Sequence, residues 1–500
     1  MRRVLRWFWA ATLAACVASA TSAQQSSPQA AAPAAPATAR DSAADRALSV
    51  ALKPWKGDFN QMRERRVVRV LAPYSRTLFF NNKGEEDGLT VDTVRDFERY
   101  INKKYPNDKR PITVVIVPTT RDKLFTQLNA GLGDIAAGNL TVTESRLKQV
   151  DFFAPAKQKL REELVVTGPA APPLKTLADL SGKTVAVRPS SSQFESLTAL
   201  NARFAAERRP PIKLQRLPDA LENEDILEMT NAGVLGIVVV SDWEADLWSQ
   251  LLPNLKVHPD LAVRKDARIG WAFRKGSPQL QAAIADFNST HLEKQGVTAY
   301  RIAQFKKNFR KVLNPTQGED VKRFESTLDL FRKYGKQYEF DPLMLAAQGY
   351  QESRLDQGAK SQVGAIGVMQ IMPATGKELG VGDIRTVEAN IHGGAKYMDQ
   401  LMERYFKDAR FDAQNRSLFA FAAYNAGPGR IQQMRTLAKT RGLDPDQWFN
   451  NVEIVTAEKV GIETTTYVRN IYKYYVSYRL LLEAQETRRK AKAQVASGKT

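Results

Sequence analysis

Hydrophobic positions along this chain repeat with two different periods. From about Val67 to Phe309, short β-branched runs alternate with amphipathic stretches. The runs "VVRVLAP", "ITVVIVP", "KTVAVRP" and "VLGIVVVSD" read as strands, and "RDKLFTQLNAGLG" between them reads as a helix. This predicts an α/β region with a largely parallel sheet. After Phe309 the period becomes helical. "EDVKRFESTLDLFRKYGKQYEF" is amphipathic, and "DPLMLAAQGYQESR" follows it, with Asp341 as N-cap and Pro342 at the first helical position. Pro342 to Gln351 carries no charge, so this helix is expected to be buried nearly all round. Further helices are expected near Val387–Phe406, Asn415–Tyr424 and Tyr467–Gln485, followed by a basic disordered tail over 486–500.

The N-terminus reads as an export signal. Arg2, Arg3 and Arg6 precede the short apolar core "WFWAATLAA", which is too short to span a bilayer as an anchor. Cleavage after "TSA" gives a signal peptide over 1–23. "LAAC" instead gives a lipoprotein signal over 1–15, with Cys16 as the lipidation site. Cys16 is the one cysteine of the chain and stands where a lipobox needs it, which favours the lipoprotein reading. Residues 24–60 are Ala/Pro-rich and serve as a tether. The α/β domain then covers 61–310 and the helical domain 318–485.

At 500 residues the chain can bury ordinary cores, and its net charge of +19 favours anionic partners. No nucleic-acid motif accompanies the charge, so nucleic acid is the weakest of these partners and a membrane surface or acidic polymer is stronger. One cysteine and three histidines (His258, His291 and His392) leave no metal-ligand cluster and no intramolecular disulfide. No P-loop or GxGxxG follows a strand. No metal and no cofactor are expected.

Glu352 ends the uncharged helix. A carboxylate buried there without a partner is costly when ionised, so its pKa is expected to rise, and a neutral acid near physiological pH is what protonation of a glycosidic oxygen requires. The alternative is an ordinary ion pair with Arg354. The loop after it contains Gly358, Gly364 and Gly367, which permit close backbone approach and positive φ. Gln370 sits between Met369 and Met372, which suits a groove for a sugar ring or, alternatively, a Met-rich core loop. Asp356 offers a second carboxylate only if the helix continues past Arg354.

Four stretches of the α/β region, "GLTVDTVRDFERYI", "LNAGLGDIAAGNLTVTESRLKQVDFFAP", "LADLSGKTVAVRPSSS" and "NAGVLGIVVVSDWEADLW", resemble family 3 periplasmic solute-binding proteins for polar amino acids. The resemblance implies two α/β lobes with ligand in the cleft. Thr141, Thr143 and Arg146 match the "T-x-T-x-x-R" segment, and Asn139, Thr141, Arg146 and Ser191 form the implied ligand site. Arg146 suits bidentate capture of a carboxylate, while on its residues alone it is equally a surface arginine paired with Glu144 or Asp151. Ser241 stands where the family places an aspartate for the ligand's amino group, with Asp242 one residue on.

"ES" at 352–353, "GAIGVMQIMPAT" to 375, "NIHGGAKYM" at 390–398, "AYNAGPGRI" at 423–431 and "ETTTYV" at 463–468 resemble the soluble-lytic-transglycosylase type of catalytic domain. The resemblance implies a lysozyme-like fold that cleaves the MurNAc–GlcNAc bond of peptidoglycan glycan strands. Glu352 is then the catalytic acid, with Ser361, Gln370, Met372, Tyr424, Asn425, Glu463 and Tyr467 binding substrate. Thr465 replaces an arginine often found in the last motif. The whole chain is thus expected to be a two-lobed α/β periplasmic-binding-protein-like domain followed by a mainly α, lysozyme-like catalytic domain. The first domain would sense a muropeptide or stem peptide, on the periplasmic side of the outer membrane. A sensor with an inactive lysozyme-like domain, or a goose-lysozyme-like hydrolase, are the alternatives.

Overall fold

The computed structural model describes residues 53–106, 111–290 and 318–496, with backbone alone at 488 and 491–496. The export signal, Cys16, most of the tether, His291 and the stretch up to Phe309 lie outside the described residues.

Two five-stranded sheets build the α/β part. The strands are β1 (Val67–Pro73), β2 (Phe80–Asn82), β3 (Glu85–Asp87), β4 (Thr113–Thr119), β5 (Ile135–Thr141), β6 (Asp151–Phe153), β7 (Arg161–Thr167), β8 (Thr184–Val187), β9 (Lys213–Arg216), β10 (Ile237–Ser241), β11 (Lys256–Ala267) and β12 (Ile269–Phe273). The first sheet runs β4-β1-β5-β12-β6 and the second β11-β7-β10-β8-β9, while β2 and β3 form a separate hairpin. β1 is parallel to β4 and β5, and β8 is parallel to β9 and β10. β12 runs antiparallel to β5 and β6, and β7 antiparallel to β10 and β11. The sheets are therefore mixed rather than largely parallel. The chain leaves the first sheet after β6 and returns to it at β12, and the returning strand enters against its neighbours. β1 is buried from Val68 to Pro73, as its unbroken apolar run dictates.

Helices α1 (Phe59–Arg65), α2 (Leu89–Lys104), α3 (Leu124–Ala130) and α4 (Glu144–Leu147) accompany the first sheet. Helices α5 (Ser192–Ala206), α6 (Asn223–Asn231) and α7 (Asp242–Ser249) accompany the second, and α8 (Pro278–Thr290) returns to the first. The helical part comprises α9 (Gly318–Gln337), α10 (Pro342–Ser353), α11 (Pro373–Leu379), α12 (Val387–Tyr405), α13 (Ala413–Ala426), α14 (Pro428–Thr440), α15 (Glu453–Lys459) and α16 (Ile462–Ala496). α10 begins as its sequence dictates: Asp341 accepts from the backbone N–H groups of Leu343 and Met344, and Pro342 follows at N1. It is buried without a break from Met344 to Tyr350.

α16 continues to Ala496, so 486–496 is helical rather than a disordered tail. Its Arg, Lys, Ala and Gln are good helix formers, and Glu486 pairs with Lys490 one turn on.

The two parts of the chain meet at a charged junction. Lys473 of α16, almost wholly buried, reaches Glu228 at 2.7 Å and Asp225 at 3.4 Å on α6. Arg469 of α16 forks onto Glu453 of α15 at 2.5 and 3.0 Å, and donates to the Ala220 carbonyl at 3.2 Å. Arg76, after β1, reaches Glu228 at 2.7 Å, and the neighbouring Ser75 hydroxyl donates to Glu224 at 2.8 Å. The Lys83 N–H donates to the Ala457 carbonyl at 2.9 Å. Both sheets' lobes and the helical domain are thus tied to one cluster.

Candidate functional site

Glu352 is the penultimate residue of α10, and the chain turns sharply after it. Arg354 and Leu355 both adopt φ of 59°, with their N–H groups returned to the carbonyls of Tyr350 (2.9 Å) and Gly349 (3.3 Å). This closes the helix in the left-handed manner usual at C-termini, here without glycine and at a strain cost of about 1–2 kcal/mol per residue. Arg354 does not pair with Glu352; it turns outward to Asp320 at 2.5 Å. Asp356 lies beyond the helix end and accepts from the Gly358 N–H at 2.9 Å, so it shapes the loop and the helix does not carry it as a second carboxylate.

The Glu352 carboxyl accepts a hydrogen bond from the Tyr467 hydroxyl of α16 at 2.5 Å. Desolvation pushes its pKa up to about 7, against a smaller lowering by the Tyr467 hydrogen bond. Tyr424 of α13 also faces it, since the Glu352 charge helps burial push that phenol well above its usual range. The Tyr424 hydroxyl itself donates to the Met369 carbonyl at 2.7 Å. The acid therefore sits between two phenols at the end of an apolar helix, with no cation paired to it among the described residues.

The loop from Gly358 to Met372 folds back over this end of α10. Ser353, beside the acid, donates to the Val368 carbonyl at 2.8 Å. Gly364 and Gly367 have φ of 94° and 80°. A side chain at Gly367 would also collide with Asn390, whose amide nitrogen lies 2.3 Å from the Cβ position. Gly358 does not adopt positive φ; its contribution is the N–H that Asp356 holds.

Gln370 has φ of 49°, and its side-chain amide donates to the carbonyls of Gly367 (2.9 Å) and Ala359 (3.3 Å). The Ser361 hydroxyl accepts from the Ala365 N–H at 2.9 Å, which leaves its own proton free to donate. Met369 is fully buried, while Met372 is 38% exposed on the rim. Only one of the two thioethers therefore lines a surface. Asn425 accepts from Thr464 at 2.9 Å and fastens the last turn of α13 to the start of α16. Glu463 is exposed on that first turn. Thr465 is buried and caps back onto the Ile462 carbonyl at 3.1 Å.

Asn390, inside "NIHGGAKYM", was not assigned a role by sequence reasoning. It is fully buried, accepts from the Met369 N–H at 2.8 Å and donates to the carbonyls of Ile384 (2.9 Å) and Ile366 (3.0 Å). An asparagine on an otherwise apolar helix face was the available signal.

In the α/β part, Asn139, Thr141, Arg146 and Ser191 all line one small cavity of about 30 Å³, together with Arg121, Arg188, Ser241 and Glu244. Asn139 also borders a larger cavity of about 680 Å³, on whose wall Asp242 lies. Arg146 pairs with neither Glu144 nor Asp151. Its Nε meets Glu195 of α5 at 3.2 Å, and its other nitrogens donate to the carbonyls of Thr141 (3.0 Å) and Ser190 (3.3 Å). Ser145 donates to the other Glu195 oxygen at 2.8 Å. A carboxylate of the chain itself thus holds the arginine across the cleft. Glu244, three residues after Ser241, is a buried acid of this cavity that the sequence reading missed. Burial raises its pKa to about 7, and it accepts from Asn223 at 2.7 Å.

A family model described as "Transglycosylase SLT domain" matches residues 329–446, and one described as "Bacterial extracellular solute-binding proteins, family 3" matches residues 67–299. A protein of Desulfosudis oleivorans named membrane-bound lytic murein transglycosylase F is 29% identical over 71% of this chain and 79% of its own length. A protein of the same name from Serratia proteamaculans is 28% identical over 90% of this chain and 92% of its own. Among solved structures, an ancestral arginine-binding protein bound to arginine is 20% identical, with a TM-score of 0.39, over 48% of this chain and 98% of its own. This chain matches a family 3 solute-binding model over its α/β part and a transglycosylase SLT model over its helical part, and over most of its length it is similar to proteins named membrane-bound lytic murein transglycosylase F.

Proposed function

We propose that this protein is a peptidoglycan lytic transglycosylase with Glu352 as its single acid/base. The observation that carries the reading is a carboxyl raised to about pH 7, held by Tyr467 and faced by phenols, with no second carboxylate beside it among the described residues. Glu352 protonates the oxygen of the MurNAc–GlcNAc bond as it breaks. The resulting carboxylate takes the proton of the sugar's own C6 hydroxyl, which closes on C1 and leaves a 1,6-anhydro-muramyl end. Intramolecular attack has a large effective-molarity advantage and needs no activated water. The free proton of Ser361 suits the N-acetyl carbonyl of the muramyl unit. Gln370 shapes the groove floor, Met372 offers an apolar rim, and Tyr424 and Asn425 form the opposite wall. Glu463, exposed on the first turn of α16, would meet an extended strand. Mass analysis of digested peptidoglycan tests this reading. Anhydro ends support it, reducing ends point to a hydrolase, and no products point to a sensor with an inactive lysozyme-like domain.

The α/β domain, on this reading, senses a carboxylate-bearing muropeptide or stem peptide, and the protein works on the periplasmic side of the outer membrane. The Glu195–Arg146 contact supports carboxylate recognition, because the site already holds one. A ligand carboxylate must displace Glu195, so Glu195→Ala is expected to tighten binding of a stem peptide by about 10-fold, the worth of one charge-assisted hydrogen bond. Calorimetry on the full chain checks this, with the peptide's C-terminal amide as control. Equal binding of acid and amide would show that Arg146 does not read a carboxylate. The junction at Lys473 and Arg469 supports coupling to the catalytic domain, since α16 carries these residues and Tyr467 on one helix.

A further inference from the structure

Gln348 stands one helical turn before Glu352 on α10, at the i, i+4 spacing that puts both side chains on the face packed against α16. It is fully buried, yet among the described residues neither its amide nitrogen nor its amide oxygen has a hydrogen-bond partner within ordinary hydrogen-bond geometry. A buried amide left open is costly, and a leucine at this place in an apolar helix would avoid that cost. The side chain lies against the Tyr467 hydroxyl, and its contact acts against the upward push that burial gives that phenol. That hydroxyl is the donor to Glu352.

We propose that Gln348 is a positioning residue for Glu352, acting through the Tyr467 hydroxyl. The inference rests on the reading of Glu352 as the acid. Tyr467 can accept one hydrogen bond while donating another, and the Gln348 NH₂ is placed to supply the first. While Glu352 is protonated, this contact is slack. Once Glu352 has given up its proton, Tyr467 must donate more strongly to a desolvated carboxylate. The Gln348 amide then tightens onto the Tyr467 oxygen and spreads the charge along the chain of donors. The titratable groups that face the carboxyl are Tyr467 from α16 and Tyr424 from α13, with Tyr397 of α12 behind Tyr424 at 5.4 Å between ring centres. None of them titrates near neutrality, so Glu352 alone sets the basic limb of the activity profile.

The test is the pH–rate profile of Gln348→Leu, alone and combined with Tyr467→Phe. The single variant is expected to fold at least as stably as the parent, to lose roughly 5- to 10-fold in kcat with KM unchanged, and to move the basic limb to higher pH. In the Tyr467→Phe background, Gln348→Leu is expected to have no further effect on the limb, because the relay is already cut. An unmoved limb in the single variant, or an equal shift in both backgrounds, overturns the inference. Glu352→Gln measured alongside separates the two levels. Activity retained there removes the reading of Glu352 itself, whereas its loss with an unmoved Gln348→Leu limb removes only the role of Gln348.

Discussion

Glu352→Gln is expected to fold, to be more stable than the parent above neutral pH, and to lose at least about 10³-fold of activity. The three effects share one cause. An unfolded glutamate titrates near 4.3, and Glu352 in the fold titrates near 7. Its raised pKa means the fold prefers the neutral form. The stability this gives is fully present below about pH 4 and is lost as pH rises towards 7. Glutamine keeps the shape and the Tyr467 hydrogen bond without the charge, so it removes that loss, worth roughly 1–3 kcal/mol for this partly exposed residue. It also has no proton to give. Activity of the parent should accordingly fall as pH rises through about 7. Chemical denaturation at pH 5 and pH 8 checks the stability part: a variant destabilised at pH 8 would contradict the desolvated site.

Lys473→Met is expected to have the largest effect on stability. Lys473 is almost fully buried and shares Asp225 and Glu228 with Arg76, while Arg469 lies 3.8 Å from Asp225. Methionine fills similar volume but leaves these buried carboxylates short of one cation. Breaking such a pair from one side costs about 3–5 kcal/mol, which corresponds to roughly 10 °C in Tm. Adding Glu228→Gln should restore part of the loss, because it removes one of the uncompensated charges. The junction also fixes α16 six residues beyond Tyr467, so the single variant should lose activity at temperatures where it is still folded. Calorimetric melting of both variants checks this. A Tm unchanged in Lys473→Met would mean the cluster is solvated and does not join the domains.

Local signals carried much of the architecture. β1 was legible because a run of β-branched residues buried on both faces has few other uses. α10 was legible from its cap, its proline and its missing charges, and the environment of Glu352 followed from that. Elements with local irregularities were harder. The stretch Trp448–Val452 is a π-type turn containing Asn450 at φ 60°, so neither it nor α15 shows a helical period from its start. The tail looked disordered because its charge outweighed its good helix propensity. What sequence could not supply was pairing at long range. Glu195 meets Arg146 across 49 positions, and Lys473 meets Glu228 across 245. Nothing local marks either acid. The same holds for Asp320, which draws Arg354 away from Glu352.

If Glu352 acts as proposed, cleavage is expected to use the sugar's own hydroxyl and one acid. Digestion of peptidoglycan in ¹⁸O-labelled water, with mass analysis of the released muropeptides, tests it most directly. The account predicts 1,6-anhydro products that carry no label from the parent protein, and none from Glu352→Gln. Labelled reducing ends would contradict it, because they would require a water activated by a second group, and none lies beside Glu352 among the described residues.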